Sequence, residues 1–151
     1  MIRQLKPSEI DTALDFRFRM TSEAGVTPLL ADDWRELTRA LYLKGYEDGS
    51  IAHFGWIENS SIVATAGVMI REDFPFFTFK VRRYGWIMDV CVLPEFRRRG
   101  FARKLTEHTL SWLRERDIVF ARLSASEQAK QAGLYEKLGF KFASEMRLHM
   151  A

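Results

Sequence analysis

The sequence predicts an α/β domain with a mixed sheet and helices on both faces, in the order β-α-α-β-β-β-α-β-α-β. Three observations carry this. Residues 51–57 and 61–70 are two apolar runs split by Glu58-Asn59-Ser60, the pattern of a hairpin. Residues 84–93 are almost continuously apolar, as a central strand covered on both faces must be. After them helical and strand-like stretches alternate, as they do where a helix carries the chain between parallel strands.

Taken in order, Ile2 and Leu5 mark a short first strand. Pro7-Ser8-Glu9 begins a helix, with Ser8 the expected N-cap. Ile10, Ala13, Leu14, Phe16 and Phe18 supply its apolar positions, and Gly25, Thr27 and Pro28 end it. A second helix follows Asp32 or Asp33, with Trp34, Leu37 and Leu41 at helical spacing. Gly45 and Gly49 close that region. Residues 71–83 are irregular and aromatic, holding Phe74, Phe76, Phe77 and Phe79. Gly100 opens a helix running to about Arg116, with Phe101, Leu105, Trp112 and Leu113 on one face. Residues 118–124 read as a strand. Ser126 or Glu127 starts a helix ending near Leu138, with Gly139 as a left-handed cap. One or two closing strands are expected over residues 140–150. No repeat, low-complexity stretch or linker interrupts the chain, so residues 1–151 are expected to form a single domain.

Composition narrows the function. The chain is 47% hydrophobic and 28% charged with four prolines, a globular balance. No apolar run approaches the roughly 18–20 residues that span a bilayer, so no membrane partner is expected. Met1-Ile2-Arg3-Gln4-Leu5-Lys6 lacks the apolar core of a signal peptide, and one cysteine cannot form an internal disulfide. A cytoplasmic location is the expectation. The net charge of +3 and a pI of about 9.2 permit an anionic partner. The charge concentrates at Lys80-Arg82-Arg83 and Arg97-Arg98-Arg99, not in the broad stripe of a nucleic-acid binder, so no nucleic acid is expected. His53, His108 and His149 show no metal-ligand spacing; surface or strand positions are their default, and no metal is expected.

The chemistry lies in two segments about thirty residues apart. The first is Val90-Cys91-Val92-Leu93-Pro94-Glu95-Phe96-Arg97-Arg98-Arg99-Gly100-Phe101-Ala102, a strand, a short basic loop and a helix start. Such a turn offers unpaired backbone N–H groups to an anion, and the helix adds its positive end. Gly100 and the small Ala102 let a ligand approach the backbone, so amides from Arg98 through Arg103 can cradle two phosphates. No Gly-Lys-Ser/Thr follows, which excludes a Walker-type loop, and the third glycine of a dinucleotide fingerprint is absent. The second segment, Leu134-Tyr135-Glu136-Lys137-Leu138-Gly139-Phe140, puts a phenol near the end of a later helix. A pyrophosphate cradle and a proton donor together point to coenzyme A chemistry.

At these residues the chain resembles the GCN5-related N-acetyltransferase superfamily, strongly over residues 84–140 and in architecture alone over residues 1–70. The resemblance implies a fold whose central strands splay to admit acetyl-CoA as acetyl donor. The backbone of Val90, Cys91 and Val92 would pair with the pantetheine arm, and Arg97, Arg98, Arg99, Gly100, Phe101, Ala102 and Arg103 would hold the pyrophosphate. Tyr135 takes the place of the family's general acid and also touches the cofactor. Gln128 lies seven residues earlier, on the same expected helix face, where many relatives have an asparagine. Where some relatives place a glutamate as base, this chain has Leu123; others use an acid on the central strand, which here is Asp89, with a structural acid bound to nearby backbone N–H groups as the alternative. Glu23 and Glu72 are further candidates. Cys91 shares the face of Asp89, but transfer in the family is direct, and a buried strand cysteine is the simpler reading.

The implied reaction is acetylation of a primary amine of a small molecule or peptide by direct attack on the thioester. An amine of pKa near about 10 must first lose its proton, and the departing thiolate must gain one. Residues 16–34 and 71–83 occupy the places that shape the acceptor pocket. The aromatic segment Phe74, Phe76, Phe77 and Phe79 suits packing on the core or on a second copy, so a homodimer is an expectation. The competing function is an acyl-CoA-binding sensor or regulatory module with a relaxed active site, which turnover of any amine would exclude.

Overall fold

The computed structural model describes residues 1–74, 82–143 and 145–150. Phe76, Phe77, Phe79 and Lys80, assigned above to the acceptor region or an interface, lie outside the described residues. The elements are β1 (Ile2–Gln4), α1 (Ile10–Glu23), α2 (Trp34–Asp48), β2 (Ile51–Glu58), β3 (Ser61–Glu72), β4 (Arg83–Val92), α3 (Phe101–Arg114), β5 (Ala121–Arg122) and α4 (Glu127–Ala132). One sheet runs β1-β2-β3-β4-β5. Its pairs are antiparallel except β4 with β5, which is parallel and bridged by α3.

The hairpin between β2 and β3 turns on Asn59 and Ser60, both in the left-handed region (φ 46° and 65°). A two-residue turn of this hand matches the twist of the strands it joins. α1 begins behind a short 3-10 turn, Pro7–Glu9. Its entry is capped by Glu9 and not by Ser8: the carboxylate accepts from the Lys6 amide at 2.8 Å and from Arg3 at 2.7 and 2.8 Å. The hydrogen bond from Arg3, helped by the Lys6 amide, holds the Glu9 carboxyl down at about 2.

α2 turns a different face inward from the one its leucines mark. Tyr42 and Gly45 are buried, whereas Leu37 and Leu41 are 60% and 49% exposed. Gly45 explains the choice, since a Cβ there would meet Ile51 side-chain atoms at 2.4–2.5 Å. The helix backbone therefore lies directly on β2, and the residues beside Gly45 on that face, Tyr42 and Tyr46, point at the sheet.

Two cores flank the sheet. On one side α3 contributes Phe101, Leu105, Trp112 and Leu113, packed on Ala52, Phe54, Ala66, Val68 and Ile87. On the other α1 and α2 contribute Ile10, Ala13, Leu14 and Tyr42, packed on Leu5 and Ile51. The alternation of Ile51 and Phe54 between these cores is the period-two pattern of a strand covered on both faces.

The C-terminal third is shorter in regular structure than its sequence implies. β5 is two residues long. α4 is capped by Ser126, whose Oγ accepts from the Ala129 amide at 3.2 Å, but it stops at Ala132 because Gly133 turns left-handed (φ 63°). A 3-10 turn, Glu136–Leu138, follows before Gly139 (φ 93°). Gln128 and Tyr135 thus do not share a continuous helix face. Among the described residues, 140–143 and 145–150 form no ladder, and Met146, Leu148 and Met150 are exposed. The two paired residues of β5 give such a tail little edge to extend.

Gly45 offers a direct check of how α2 sits. Alanine inside a helix is normally favoured over glycine by about 1 kcal/mol. Here overpacking against Ile51, worth about 1–3 kcal/mol, opposes it. Gly45→Ala is expected to lower Tm in thermal melting; a raised Tm would show that α2 stands off the sheet.

Candidate active site

β4 is central to the site. It pairs with β5 at Gly85 and Trp86 alone, then runs on to Val92 with that edge open. On its other edge the register with β3 shifts between Thr65, which faces Cys91, and Gly67, which faces Met88. The extra residue is a β-bulge, and Asp89 sits in it with φ 54°. Met88 packs towards α1 and α2, whereas Val90 and Val92 pack towards α3. Unbroken alternation would have put Met88, Val90 and Val92 on one face. The bulge thus re-aims the last turn of the strand.

Asp89 is 2% exposed, and its carboxylate is enclosed by donors. Oδ1 accepts from Arg17 Nη1 of α1 at 2.6 Å. Oδ2 accepts from the Tyr42 hydroxyl of α2 and faces His53 Nε2 of β2 at 2.8 Å. A carboxylate only accepts, so Nε2 carries the proton of that bond. The Tyr46 hydroxyl meets His53 Nδ1 at 2.9 Å, and the Asp89 carbonyl accepts from Thr65 Oγ1 at 2.9 Å. Burial alone would raise the Asp89 pKa; hydrogen bonding and charge from His53, then Arg17 and Tyr42, outweigh it and hold the carboxyl below the usual range. The same enclosure, led by burial, raises the Tyr42 and Tyr46 phenols. An enclosed carboxylate with donors on both oxygens is suited to holding the strand. His53, whose default was a surface or strand position, is in a strand and wholly buried. Arg17, Tyr42 and Tyr46 were not singled out in the sequence, although tyrosines four apart on a helix and a histidine inside an apolar strand are visible there.

Beyond Val92, a 3-10 turn at Pro94–Phe96 leads into the basic loop. Arg98 and Gly100 are both left-handed (φ 62° and 79°). Alternation of hand in a turn points successive amides into one concavity, which suits an anion. The first helical bond of α3 runs from the Lys104 amide to the Gly100 carbonyl at 3.1 Å, so the amides of Phe101, Ala102 and Arg103 precede the ladder. Apart from the adjoining chain, nothing lies within 4 Å of where a Gly100 Cβ would be, so the turn has open space beside it. Three of the four arginine side chains here have partners within the protein. Arg97 pairs with Glu23 at 2.6 and 2.7 Å and donates from Nε to the Val92 carbonyl at 2.9 Å. Arg99 lies over Phe96, and Arg103 pairs with Glu107.

Tyr135 stands edge-on to Phe140, with ring centroids 5.9 Å apart. Phe140 packs on the α3 side of the sheet, the core to which Val90 and Val92 also belong. Burial pushes its pKa up to about 12. Gln128 is exposed on α4. Leu123 packs on the α3 core. Cys91 is buried, and its thiol is pushed up to about 11, first by burial and then by Glu23. Glu72 pairs with Arg82 at the far end of the β3–β4 ladder from the bulge. Among the described residues no group of three or more His, Cys, Asp or Glu side chains is gathered as a metal site.

An open cleft of about 490 Å³ runs along α1 to the end of β4, lined by Asp15, Phe16, Phe18, Arg19, Glu23 and Leu93 among others. Five of its eight lining residues, all between Phe16 and Glu23, fall in the segment 16–34 expected to help form an acceptor pocket. Phe18 stacks on Trp34 of α2 at its rim, with centroids 5.8 Å apart.

The Acetyltransferase (GNAT) family matches residues 17–140. The uncharacterized N-acetyltransferase YhdJ of Bacillus subtilis (strain 168) is 26% identical over 123 residues, covering 78% of this chain and 83% of its own. The crystal structure of a GCN5-related N-acetyltransferase from Ralstonia eutropha JMP134 superposes with a TM-score of 0.88 at 26% identity, covering 99% of this chain and 97% of that one. That of a predicted acetyltransferase from Clostridium acetobutylicum, solved with acetyl-CoA, gives 0.87 at 26% identity, covering 99% and 96%. With a family match spanning residues 17–140, this chain belongs to the GNAT acetyltransferase family and is an N-acetyltransferase.

Proposed function

We propose that the protein transfers the acetyl group of acetyl-CoA to a primary amine of a small molecule or peptide by direct attack of the amine on the thioester. The observation that carries this is the parting of β4 from β5 after Trp86, which ends at an open, amide-lined turn around Gly100. The edge of β4 from Asp89 to Val92 carries no neighbouring strand and, apart from the Val92 carbonyl held by Arg97, suits the amides of a pantetheine arm, as an added strand would. The turn suits a pyrophosphate through backbone N–H groups, which need no side-chain ordering and carry the helix's positive end. The relative from Clostridium acetobutylicum, solved with acetyl-CoA, supports this assignment.

Acetyl-CoA supplies an activated thioester whose leaving group is a thiolate. The chain supplies a proton and a place for the amine. Tyr135 stays protonated throughout the neutral range because burial raises its pKa to about 12. It serves as the donor to sulfur, through a hydrogen bond that strengthens as charge develops there. The acceptor enters by the α1 cleft, where Glu23 and Asp15, unlike the enclosed Asp89, are carboxylates within reach of solvent, and the amine's proton leaves to water on that side. Asp89 acts by shaping β4. Cys91, with a thiol near 11, is a poor nucleophile, which favours direct transfer over an acetyl-cysteine.

Calorimetric titration with acetyl-CoA, CoA and dephospho-CoA tests the cofactor assignment, with micromolar binding at one site expected. Gly100→Glu puts a carboxylate into the anion turn, on a backbone that disfavours side chains, and should abolish that binding. Retained affinity would place the phosphates elsewhere. Tyr135→Phe should lower kcat by roughly ten- to a thousand-fold with cofactor affinity kept. The wild-type rate should show no loss from phenol ionisation up to about pH 11, because the raised pKa keeps the acid form present below that value. Alkylation of Cys91 by iodoacetamide at pH 8 should run about a hundred-fold slower than that of a free cysteine. Rapid labelling would reopen the covalent route.

A further inference from the structure

We infer that Arg17, Tyr42 and His53 are positioning residues for the cofactor: by enclosing Asp89 they lock the β4 bulge that opens the strand edge, and Gly67 is part of the lock. The inference rests on the reading of β4 as the acetyl-CoA strand and adds what keeps that strand in a binding shape. Three different elements send a donor to one carboxylate: α1 through Arg17, α2 through Tyr42 and β2 through His53. The carboxylate belongs to the residue with left-handed backbone, at the point where the register shifts.

A non-glycine residue in that conformation is strained. Relaxation of Asp89 to extended geometry would remove the bulge and turn Val90 and Val92 to the other face. Relaxing Asp89 would take its carboxylate away from three donors and leave a buried charge unsatisfied, which opposes the release of that strain. The lock also depends on an absent side chain. A Cβ at Gly67 would meet His53 Nε2 at 2.6 Å and Cδ2 at 2.7 Å, so the imidazole lies against bare β3 backbone to reach Asp89. His53 is fixed from its other side by Tyr46 at 2.9 Å, and its ring packs on Tyr42 with centroids 4.6 Å apart. None of these side chains has to touch the cofactor; each acts through the shape of the strand.

The test is calorimetric titration with acetyl-CoA of the wild type and of Gly67→Ala, His53→Leu, His53→Gln and Tyr42→Phe, each below its melting temperature. Gly67→Ala removes no polar group but displaces the imidazole, and should weaken binding about ten-fold or more, as should His53→Leu. His53→Gln keeps a side-chain N–H to offer Asp89 and should recover most of that loss. Tyr42→Phe removes one hydroxyl from the enclosure and should weaken binding about three- to ten-fold. A merely structural role would lower Tm and the folded fraction while leaving the affinity of folded protein unchanged. Wild-type affinity in folded Gly67→Ala and His53→Leu would overturn the inference. Should those two fail to fold, wild-type affinity in Tyr42→Phe overturns it. Absence of acetyl-CoA binding by the wild type itself would overturn the cofactor reading and this inference together, a result distinct from binding that the variants leave intact.

Discussion

The enclosure of the Asp89 carboxylate is the interaction on which the remaining architecture depends. A charged side chain taken fully out of water is tolerated only with partners that satisfy it, and removing one partner of such a set costs about 3–5 kcal/mol. The two N-terminal helices must therefore stand where Arg17 and Tyr42 reach the carboxylate, and β2 must present His53 to it. Gly45 and Gly67 fit the same requirement, one letting α2 lie on β2 and the other letting the imidazole lie on β3. Charge satisfaction, not apolar packing alone, fixes the register of the central strand.

That requirement also accounts for what was and was not legible in the sequence. The hairpin at Asn59-Ser60, the apolar run of β4 and the helix opening at Gly100 were readable because each rests on local chemistry: a turn, a period or a left-handed glycine. The inward face of α2 was not, because it is chosen by a missing side chain at Gly45, whereas Leu37 and Leu41 give the stronger apolar signal and face solvent. The cap at Glu9 was missed for a similar reason. Its second partner is Arg3, on the neighbouring strand, and Ser8 is the better local match. The long helix expected through Leu138 was cut at Gly133, whose hand cannot be read from its identity.

The site divides in the same way. The amide turn was legible, because glycine, small residues and a helix start suffice to describe it. The partners of its arginine side chains were not: the Arg97 guanidinium joins Glu23 to the Val92 carbonyl. Asp89 was legible as the acid on the central strand, but its partners lie 36 to 72 residues away in the chain. No periodicity reports a pairing of that kind; only the folded sheet does.

The Arg97–Glu23 bridge gives these two halves a physical connection. Glu23 lines the cleft along α1, and Arg97 begins the anion turn, so the pair spans from the proposed acceptor side to the proposed cofactor side. Both side chains are partly exposed, so the pair itself contributes little stability, of the order of 0–1 kcal/mol. Its value lies in placement. It fixes a cation at the carboxyl end of β4 without spending the backbone amides beyond it, and it keeps a carboxylate at the mouth of the cleft. Charge is thus arranged on both sides of β4: an enclosed anion at the bulge that shapes the strand, and an open pair at its end where an amine and a thioester would meet.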